Sequence, residues 1–502
     1  MVMTAGTPLV FAAGLSAAPP SIYPTTAFQH QAVDVGTSNS FSVTATGDAP
    51  LWFQWCLDGR EIPGQTNQRL IFPSAQSTDE GDYTVVVTNV FGAVTSNPAR
   101  LWVVPRAAAF IKGNFTNALG RLPYFYLLPT NYTLARTYPL WFNFHGTPGD
   151  ETVMTTPNYG YPGYFNLPGT KTLVSYRQQE REPVILLWPT RRAGDESWTD
   201  AYLRQASAML DQFIVQFSVD TNRIFICGES EGVHAAWDVI AMRPGLFAAA
   251  GLAAGWSGNS PVTSVKDVQA WAWCAANDDA GQLGNTQAFV NSLRGAGANL
   301  IYTEYASGGH LGGILMGCCT PSLVDWLLDQ RRGVSPNAEP LLTITSPTGQ
   351  AVLPTGATNV SLAGTAAALG QAVNKVTWQN TANNRTGTAS GTNTWNVTSM
   401  PLVPNRTNLL IVTATTTSWS AGCGGKTTFN DTLTVIQAPV RAMLGWQGSN
   451  ALLTWTGGGP PYRVQRTSDL DAGMWTNFLS NAVPPVTILL DGQSGFFRII
   501  GQ

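Results

Sequence analysis

The chain has 502 residues, and its 27 Lys and Arg against 30 Asp and Glu give a net charge of −3 at pH 7. So small a charge gives no electrostatic basis for binding nucleic acid, and no apolar run approaches the roughly 20 residues of a membrane-spanning helix. Because single hydrophobic cores stop growing at about 250–300 residues, the length predicts several domains.

The amino-terminal stretch, residues 1–19, is mildly apolar and ends in small residues. It lacks the basic segment that opens a typical signal peptide, so it is interpreted either as a weak secretion signal or as a disordered leader. The 17 tryptophans and 50 glycines suit β-rich exported modules. We therefore expect a protein that is secreted or held at the cell surface.

Residues 20–104 alternate apolar and polar positions between regular turns, which predicts a β-sandwich. The pattern resembles an immunoglobulin domain of the intermediate type. The positions that carry this resemblance are the strand C tryptophan, Trp55, and the tyrosine corner, Asp79-x-Gly81-x-Tyr83. Val43 and Val85 stand where such domains usually carry bridging cysteines, so we expect packing alone to hold this sandwich.

From residue 105 to residue 335 the pattern changes to alternating strands and helices, which predicts a parallel sheet with helices on both faces. The predicted strands are residues 124–129, 140–144, 184–188, 224–227, 247–256, 268–274 and 300–305. The predicted helices are residues 201–217, 234–242, 286–293 and 322–332.

All-β patterns return in the last third of the chain. Residues 336–437 resemble the bacterial immunoglobulin-like repeats found on exported enzymes and adhesins, and residues 438–502 resemble a small fibronectin-type module. The predicted organisation is therefore a leader (1–19), an immunoglobulin-like domain (20–104), a catalytic domain (105–335) and two β modules.

The six cysteines show no C-x-x-C spacing, so the sequence predicts neither a metal site nor a cofactor. Cys227 lies in a predicted core strand and is interpreted as a small buried hydrophobe. Cys318 and Cys319 are adjacent, and a disulfide from one of them to Cys274 is left open.

The chemistry centres on Gly228-Glu229-Ser230-Glu231-Gly232, which follows the predicted strand 224–227 and precedes the predicted helix 234–242. A strand, a Gly-x-Ser-x-Gly turn and a helix form a nucleophile elbow, in which the serine takes a strained backbone conformation. Flanking glycines permit this because they lack a β-carbon. Ser230 is therefore the predicted nucleophile, at the carboxyl edge of the sheet.

A serine hydroxyl is a poor nucleophile until an imidazole accepts its proton and a carboxylate orients that imidazole. In α/β-hydrolases these residues follow in the order Ser, Asp, His. Asp278 follows the predicted strand 268–274 and is preferred as the acid, with Asp279 as the alternative. Among the four histidines only His310 comes after this acid, so it is the predicted base, in a glycine-rich loop.

Attack on an ester carbonyl places negative charge on oxygen, which requires fixed hydrogen-bond donors. The backbone N–H of Glu231 is predicted as one donor and that of Thr147, after the strand 140–144, as the other. His145 is interpreted as a residue that shapes this loop. Two aromatic residues on the same side of the predicted sheet are candidate substrate walls, Trp198 and Trp256. Ordinary packing is the alternative for both.

Residues 139–146, the run Asp220-x-x-Arg223-Ile224-Phe225 and the elbow together resemble the polyhydroxybutyrate depolymerase and feruloyl esterase group, whose signature is shared by prolyl-oligopeptidase-type hydrolases. The resemblance covers about residues 106–334 and implies an α/β-hydrolase fold with a Ser-His-Asp triad. One departure is Glu231, where the family often has a small or apolar residue. A carboxylate there would raise the pKa of the histidine and disfavour anionic substrates.

The resemblance predicts a secreted serine carboxylic ester hydrolase of the polyester depolymerase, feruloyl esterase or acetyl-xylan esterase type. The partner is then an ester substrate, in polymeric form for some of these types, and the β modules would hold the enzyme near a polymer or cell surface. Two alternatives stay open. They are a serine peptidase of the prolyl-oligopeptidase type and a surface binding protein whose hydrolase domain is inert.

Overall fold

Two compact units divide the chain, one ending at Arg106 and the other beginning at Ala107. The residues that the computed structural model describes are 18–23, 31–104, 111–129, 131–147, 149–152, 181–257, 260–318, 321–334, 339–368, 371–417, 425–438, 440–448, 450–457, 461–470, 474–488 and 496–500. Within these ranges, no helix combines the length and the apolar character needed to cross a membrane.

The first unit is all-β. Its strands are β1 (Ser21–Tyr23), β2 (Gln31–Asp34), β3 (Asn39–Ser42), β4 (Thr44–Thr46), β5 (Trp52–Leu57), β6 (Arg60–Glu61), β7 (Arg69–Phe72), β8 (Gly81–Asn89), β9 (Gly92–Thr95) and β10 (Ala99–Val104). One sheet has the order β2-β10-β8-β5-β6 with β9 beside β8, while β3 pairs with β7 and β1 with β4. Every second residue of β8 is buried, which is the alternation that the sequence pattern predicted.

The core of the first unit contains the residues that the sequence pattern singled out. Trp55 is fully buried, and the hydroxyl of Tyr83 donates to the carbonyl of Asp79 at 2.7 Å, which is the predicted tyrosine corner. Val43 and Val85 are both buried in the same apolar cluster. Packing of these side chains therefore takes the place of the bridge that cysteines would form.

The second unit begins with the predicted catalytic region. Its elements are β11 (Ile111–Asn117), β12 (Gly120–Leu127), β13 (Tyr138–Phe144), β14 (Ile185–Pro189), α1 (Asp200–Gln216), β15 (Val219–Glu229), α2 (Glu231–Met242), β16 (Ala249–Ala253), α3 (Val262–Val265), β17 (Gln269–Ala275), α4 (Gln282–Gly295), β18 (Leu300–Tyr305), α5 (Gly309–Cys318) and α6 (Pro321–Asp329).

These strands form a mostly parallel sheet in the order β11-β12-β14-β13-β15-β16-β17-β18. Neighbours from β14 to β18 run parallel, and β11 and β12 form an antiparallel hairpin at one edge. All residues of β13, β14 and β16 are buried, which requires cover on both faces of the sheet. The predicted α/β arrangement of this region is thus present in the strand pairing.

The segment after β18 differs from the prediction. His310 was expected in a glycine-rich loop, but it lies in the first turn of α5. A β-carbon on Gly313 would lie 2.8 Å from that of Ala275, and one on Gly317 would overlap the ring of Trp273. Close packing of α5 against β17 therefore requires glycine at these two positions.

The remainder of the chain is all-β. Its strands are β19 (Leu341–Ser346), β20 (Val352–Thr355), β21 (Asn359–Ala367), β22 (Val373–Asn380), β23 (Arg385–Thr388), β24 (Ser390–Gly391), β25 (Thr394–Pro401), β26 (Thr407–Thr417), β27 (Gly425–Gln437), β28 (Arg441–Gln447), β29 (Asn450–Thr456), β30 (Tyr462–Thr467), β31 (Thr476–Ala482), β32 (Val486–Ile488) and β33 (Phe496–Ile500). The last six strands form two small sheets, β28-β29-β32 and β31-β30-β33.

The first β module, residues 336–437, is continuous with the mostly parallel sheet that precedes it. Strand β27 pairs antiparallel with β18, and the sheet continues through β26 and β22 to β23, with β20 also beside β27. The boundary predicted between residues 335 and 336 therefore does not separate two sheets. A second sheet, β19-β21-β25-β24, belongs to the module alone.

Side chains reinforce this junction. The guanidinium of Arg294 in α4 donates to Asn430 Oδ1 at 3.0 Å and to the carbonyl of Thr428 at 3.1 Å, both in β27. The hydroxyls of Thr303 and Thr427, both buried, lie 2.9 Å apart across the β18–β27 pair. Removing the partner of a buried polar group of this kind lowers the stability of the folded protein.

We expect a chain ending at residue 335 to melt about 10 °C or more below a chain ending at residue 438. The shorter chain loses the whole ladder between β18 and β27. Each lost hydrogen bond contributes about 1 kcal/mol, and each kcal/mol shifts the melting temperature by about 2–4 °C in a domain of this size. Calorimetry of both chains measures the difference. Equal melting temperatures would show that β27 adds nothing to the stability of the catalytic sheet.

Candidate active site

The predicted strand, turn and helix are present, since β15 is followed at once by Ser230 and then by α2. Ser230 has φ +52° and ψ −122°, a sparsely populated conformation that costs about 1–3 kcal/mol. A β-carbon on Gly228 would overlap the carbonyl of Gly232, and one on Gly232 would overlap the carbonyl of Phe144. Only glycine fits at these two positions, so close backbone packing holds the serine in its strained turn.

The elements that carry the predicted triad leave the sheet at one edge. Main-chain hydrogen bonds connect the carboxyl ends of β15, β16, β17 and β18 in sequence, from Ser230 N to Ala253 O at 2.8 Å, from Ala254 N to Trp273 O at 2.7 Å and from Ala276 N to Tyr305 O at 2.7 Å. Ligand sites of open α/β sheets lie at this edge.

Asp278 and His310 form a buried acid–base pair. The ring nitrogen Nδ1 of His310 lies 2.7 Å from Oδ2 of Asp278, whose side chain is fully buried. The other oxygen, Oδ1, accepts from the backbone N–H of Ala280 at 3.0 Å and of Gln282 at 3.2 Å. Burial alone would raise the pKa of Asp278, but the hydrogen bonds from His310 and Gln282 outweigh it and lower this pKa below its ordinary value.

The structure separates the two aspartates that the sequence left as alternatives. Asp279 binds the main chain, since its Oδ1 accepts from the backbone N–H of His310 at 2.8 Å. Next to it, the backbone N–H of Gly309 donates to Asn277 Oδ1 at 2.9 Å. Asp278 therefore contacts the ring, while Asp279 and Asn277 hold the first turn of α5.

Cys274 is a free thiol, so the disulfide that the sequence left open for it is not formed. Its sulfur lies 3.5 Å from Oδ2 of Asp278 and donates to it. Burial, followed by the nearby Asp278 charge, raises the pKa of this thiol above its ordinary value. Cys274 is therefore a neutral donor behind the acid. Cys227, as predicted, is buried in the core.

The loop after β13 lies directly against the nucleophile. A β-carbon on Gly146 would lie 2.9 Å from Cβ of Ser230. The backbone N–H of Gly146 donates to Oε1 of Glu229 at 3.2 Å, and the side chain of Asn143 donates to Oε2 at 3.3 Å. Glu229, immediately before the serine, thus binds the loop that carries the predicted donor Thr147.

Sequence reasoning missed this role of Glu229. The side chain is buried, and burial raises its pKa well above the ordinary value even though the two hydrogen bonds oppose the shift. A glutamate at the end of a fully buried strand was the available signal, since charged residues are rarely buried without a partner.

The carboxylate of Glu231 is bound on both oxygens. Oε2 accepts from the hydroxyl of Thr147 and lies 2.7 Å from Nη1 of Arg191, and Oε1 accepts from the backbone N–H of Trp198 at 3.0 Å. The sequence had suggested that this negative charge would act on the histidine and repel anionic substrates. Its pairing with the buried Arg191, a residue that sequence reasoning missed, compensates that charge.

His145 shapes the loop, as the sequence suggested. Its Nδ1 donates to the carbonyl of Gly146 at 2.8 Å, so Nε2 is the nitrogen that accepts from the hydroxyl of Thr190 at 3.2 Å. Burial, together with the nearby Arg191 charge, lowers the pKa of His145 to about 3. The imidazole is therefore neutral at neutral pH and is already engaged on both nitrogens.

The two candidate aromatic walls have different surroundings. The indole N–H of Trp198 donates to the carbonyl of His145 at 2.9 Å, and its ring centroid lies 5.1 Å from that of Phe144, so this side chain packs behind the loop. Trp256 follows β16 at the edge of the sheet, and its ring centroid lies 4.5 Å from that of His234. Both tryptophans are half-buried. Of the two, Trp256 therefore has the placement better suited to a substrate wall.

Comparison with known proteins gives one family match. The immunoglobulin I-set domain matches residues 23–101, which confirms the predicted intermediate-type domain. No curated protein matches the chain. Within the described residues, no group of three or more His, Cys, Asp or Glu side chains is arranged to hold a metal ion.

The chain is similar to several solved esterase structures. A thermostable esterase is 19% identical with a TM-score of 0.39, over 63% of this chain and 90% of its own. A mutant of the feruloyl esterase module from Clostridium thermocellum, complexed with sinapinate, is 15% identical with a TM-score of 0.36, over 44% and 88%. A ferulic acid esterase is 16% identical with the same score, over 44% and 98%. At these scores the similarities carry no argument about the site.

Replacing His145 by Gln should reduce the loss of stability in acid. The folded protein keeps His145 neutral down to pH about 3, whereas the unfolded chain binds a proton at its ordinary pKa of 6.5. Below pH 6.5 protonation therefore favours the unfolded chain, by at most about 1.4 kcal/mol per pH unit. The melting temperature of His145→Gln should start lower at pH 7 but fall less between pH 6.5 and pH 4.5. A fall as steep as in the wild type would contradict this assignment.

Proposed function

We propose that the chain is a serine carboxylic ester hydrolase, secreted or held at the cell surface, that acts through an acyl-enzyme on Ser230. The observation that carries this proposal is a strained serine at the sheet edge from which the segments holding the Asp278–His310 pair, 2.7 Å apart, also leave. A hydroxyl, an imidazole and a buried carboxylate are the groups that acyl transfer requires.

In the proposed first step, Oγ of Ser230 attacks the ester carbonyl while Nε2 of His310 takes its proton. Because Nδ1 donates to Asp278, Nε2 is the ring nitrogen that carries no proton in the neutral imidazole. The carboxylate fixes that tautomer and stabilises the imidazolium as it forms. The depressed pKa of Asp278 supports this role, because the acid must remain ionised beside a cationic ring.

Negative charge then develops on the carbonyl oxygen. We assign the stabilising donors to the backbone N–H groups of Glu231 and Thr147, as the sequence predicted. Glu231 N–H lies in the first turn of α2, where the helix dipole also favours an anion. The N–H of Gly146 is bound to Glu229, which favours Thr147 as the donor from that loop.

Collapse of the tetrahedral intermediate expels the alcohol, which takes the proton from His310 and leaves the acyl group on Ser230. A water molecule then attacks the acyl carbon as His310 removes its proton. The second intermediate releases the acid and returns the proton to Ser230. Both half-reactions use the same imidazole and the same two donors.

Within ester hydrolases we infer a substrate of the polyester, feruloyl or acetyl-xylan type. The resemblance of residues 139–146 and of the elbow to the depolymerase and feruloyl esterase group supports this class. Trp256 supports it as well, since an aromatic side chain at the sheet edge suits an aryl ring, a sugar face or a polyester chain. The β modules would then hold the enzyme near an insoluble substrate.

A fluorophosphonate probe should label the wild-type protein and should not label Ser230→Ala. The probe reacts with a serine whose hydroxyl is activated by an imidazole, and the substitution removes that oxygen. Gel fluorescence measures labelling, and p-nitrophenyl butyrate hydrolysis should disappear with it. A prolyl peptide anilide serves as the comparison substrate, because its preferential cleavage would favour the peptidase alternative. Labelling that persists in Ser230→Ala would refute the assignment of the nucleophile.

Replacing Asp278 by Asn should reduce kcat for p-nitrophenyl butyrate by about 10⁴-fold, because the amide favours the wrong tautomer of His310. The matched control is Asp279→Asn. Its amide oxygen can still accept from the backbone of His310, so we expect a change of about threefold or less. Similar losses in the two variants would contradict the assignment of Asp278 as the acid.

A further inference from the structure

One carboxylate connects the two residues whose backbone N–H groups are assigned to the oxyanion. Glu231 follows the nucleophile, and its Oε2 accepts from the hydroxyl of Thr147. The two donor residues come from different elements, the start of α2 and the loop after β13, and their side chains bind each other. The distance between the two backbone N–H groups is thereby constrained by a side-chain contact.

Arg191 forms an ion pair with the carboxylate of Glu231. Its side chain is fully buried, and Nη1 lies 2.7 Å from Oε2 of Glu231. The remaining guanidinium nitrogens donate to the loop itself, with Nε 2.8 Å from the carbonyl of Gly149 and Nη2 3.3 Å from that of Gly146. Nη1 also donates to the carbonyl of Glu196. A planar guanidinium bound on every nitrogen has no freedom to turn.

Burying the Glu231–Arg191 ion pair costs free energy of desolvation, so its presence calls for an explanation. A buried ion pair often adds little net stability, because desolvation of the charges offsets their attraction. This pair lies beside the nucleophile rather than in the general core, and every group that it contacts belongs to the elbow, the loop after β13 or the segment 190–198. Its position indicates alignment of these three segments as its role.

We infer that Glu231 and Arg191 are positioning residues that set the geometry of the oxyanion hole, with Thr147 as the residue they align. This inference rests on the proposed function. Donors must lie about 2.7–3.1 Å from the oxyanion, and a displacement of about 1 Å can cost about 100-fold in rate. Because the oxyanion exists only in the transition state, loss of alignment lowers kcat and leaves KM nearly unchanged.

Thr147 is the residue at which to test this, since it is exposed and its substitution does not disturb the core. Thr147→Val removes the hydroxyl but keeps the shape and the backbone N–H. We expect kcat for p-nitrophenyl butyrate to fall about 10–100-fold with KM changed by about threefold or less. Thr147→Ser restores the hydroxyl and should recover kcat to within about threefold of the wild type.

Glu231→Ala removes the acceptor altogether, so its loss should be at least that of Thr147→Val, and the double variant should be about as slow as Glu231→Ala alone, because the Thr147 hydroxyl then has no carboxylate contact left to lose. Affinity for a trifluoromethyl ketone, to whose carbonyl carbon Oγ of Ser230 adds to form a hemiketal with an oxyanion in the hole, should fall in parallel with kcat/KM. Affinity for the matching alcohol, which places no oxyanion there, should stay the same. A purely structural role would not separate these two inhibitors.

The matched control is Arg243→Gln. It removes another ion pair, the 2.7 Å contact between Arg243, the residue after α2, and Asp211 in α1, which lies outside the proposed machinery. Its kcat should remain within about twofold of the wild type. Wild-type kcat in Thr147→Val, or additive losses in the double variant, would overturn the inference while leaving the proposed function intact. A wild-type protein that neither hydrolyses esters nor reacts with the fluorophosphonate would overturn both.

Discussion

The close crossing of three backbone segments at Ser230 is the constraint on which the rest of the site depends. A β-carbon on Gly232 would overlap the carbonyl of Phe144, and one on Gly255 would lie 2.6 Å from the carbonyl of Ser230. These contacts bring the loop after β13, the start of α2 and the loop after β16 together with no side chain between them. A strained residue persists only when its surroundings over-determine it, and here they do. The backbone of Ser230 is therefore held in one conformation.

Three carboxylates surround this crossing, and their surroundings give them different roles. Glu229 is buried, has a raised pKa and receives hydrogen bonds from the loop after β13. Glu231 forms an ion pair with Arg191, and its carboxylate thereby links the start of α2 to the segment 190–198. Only Asp278 among these three contacts an imidazole, and its pKa is depressed. Carboxyl groups of one chemical type thus differ in pKa and in partner according to their burial and their neighbours.

The sequence was informative about features that depend on a local pattern of residues. It was uninformative about features that depend on contacts between residues far apart in the chain. The glycines of the elbow predict the strained turn at Ser230, and the tyrosine corner predicts the immunoglobulin-like first domain. Both patterns involve residues within a few positions of one another. Asp278 and Asp279 could not be separated, because adjacent aspartates differ only in which group each one reaches in space. The glycines around His310, at 308, 309 and 312, suggested a loop, because a pattern cannot show that the glycines at 313 and 317 pack a helix against a strand.

The pairing of β18 with β27 changes how the first β module is understood. The sequence suggested a separate sandwich that would attach the enzyme to a surface. Strand β18 leads directly into α5 and thus to His310, and its last residue, Tyr305, pairs with Gly425 at the start of β27. Gly425 has φ +115°, and a β-carbon there would overlap the carbonyl of Glu304, so the two strands meet closely at the end nearest the base. The module therefore supports the strand that leads to His310.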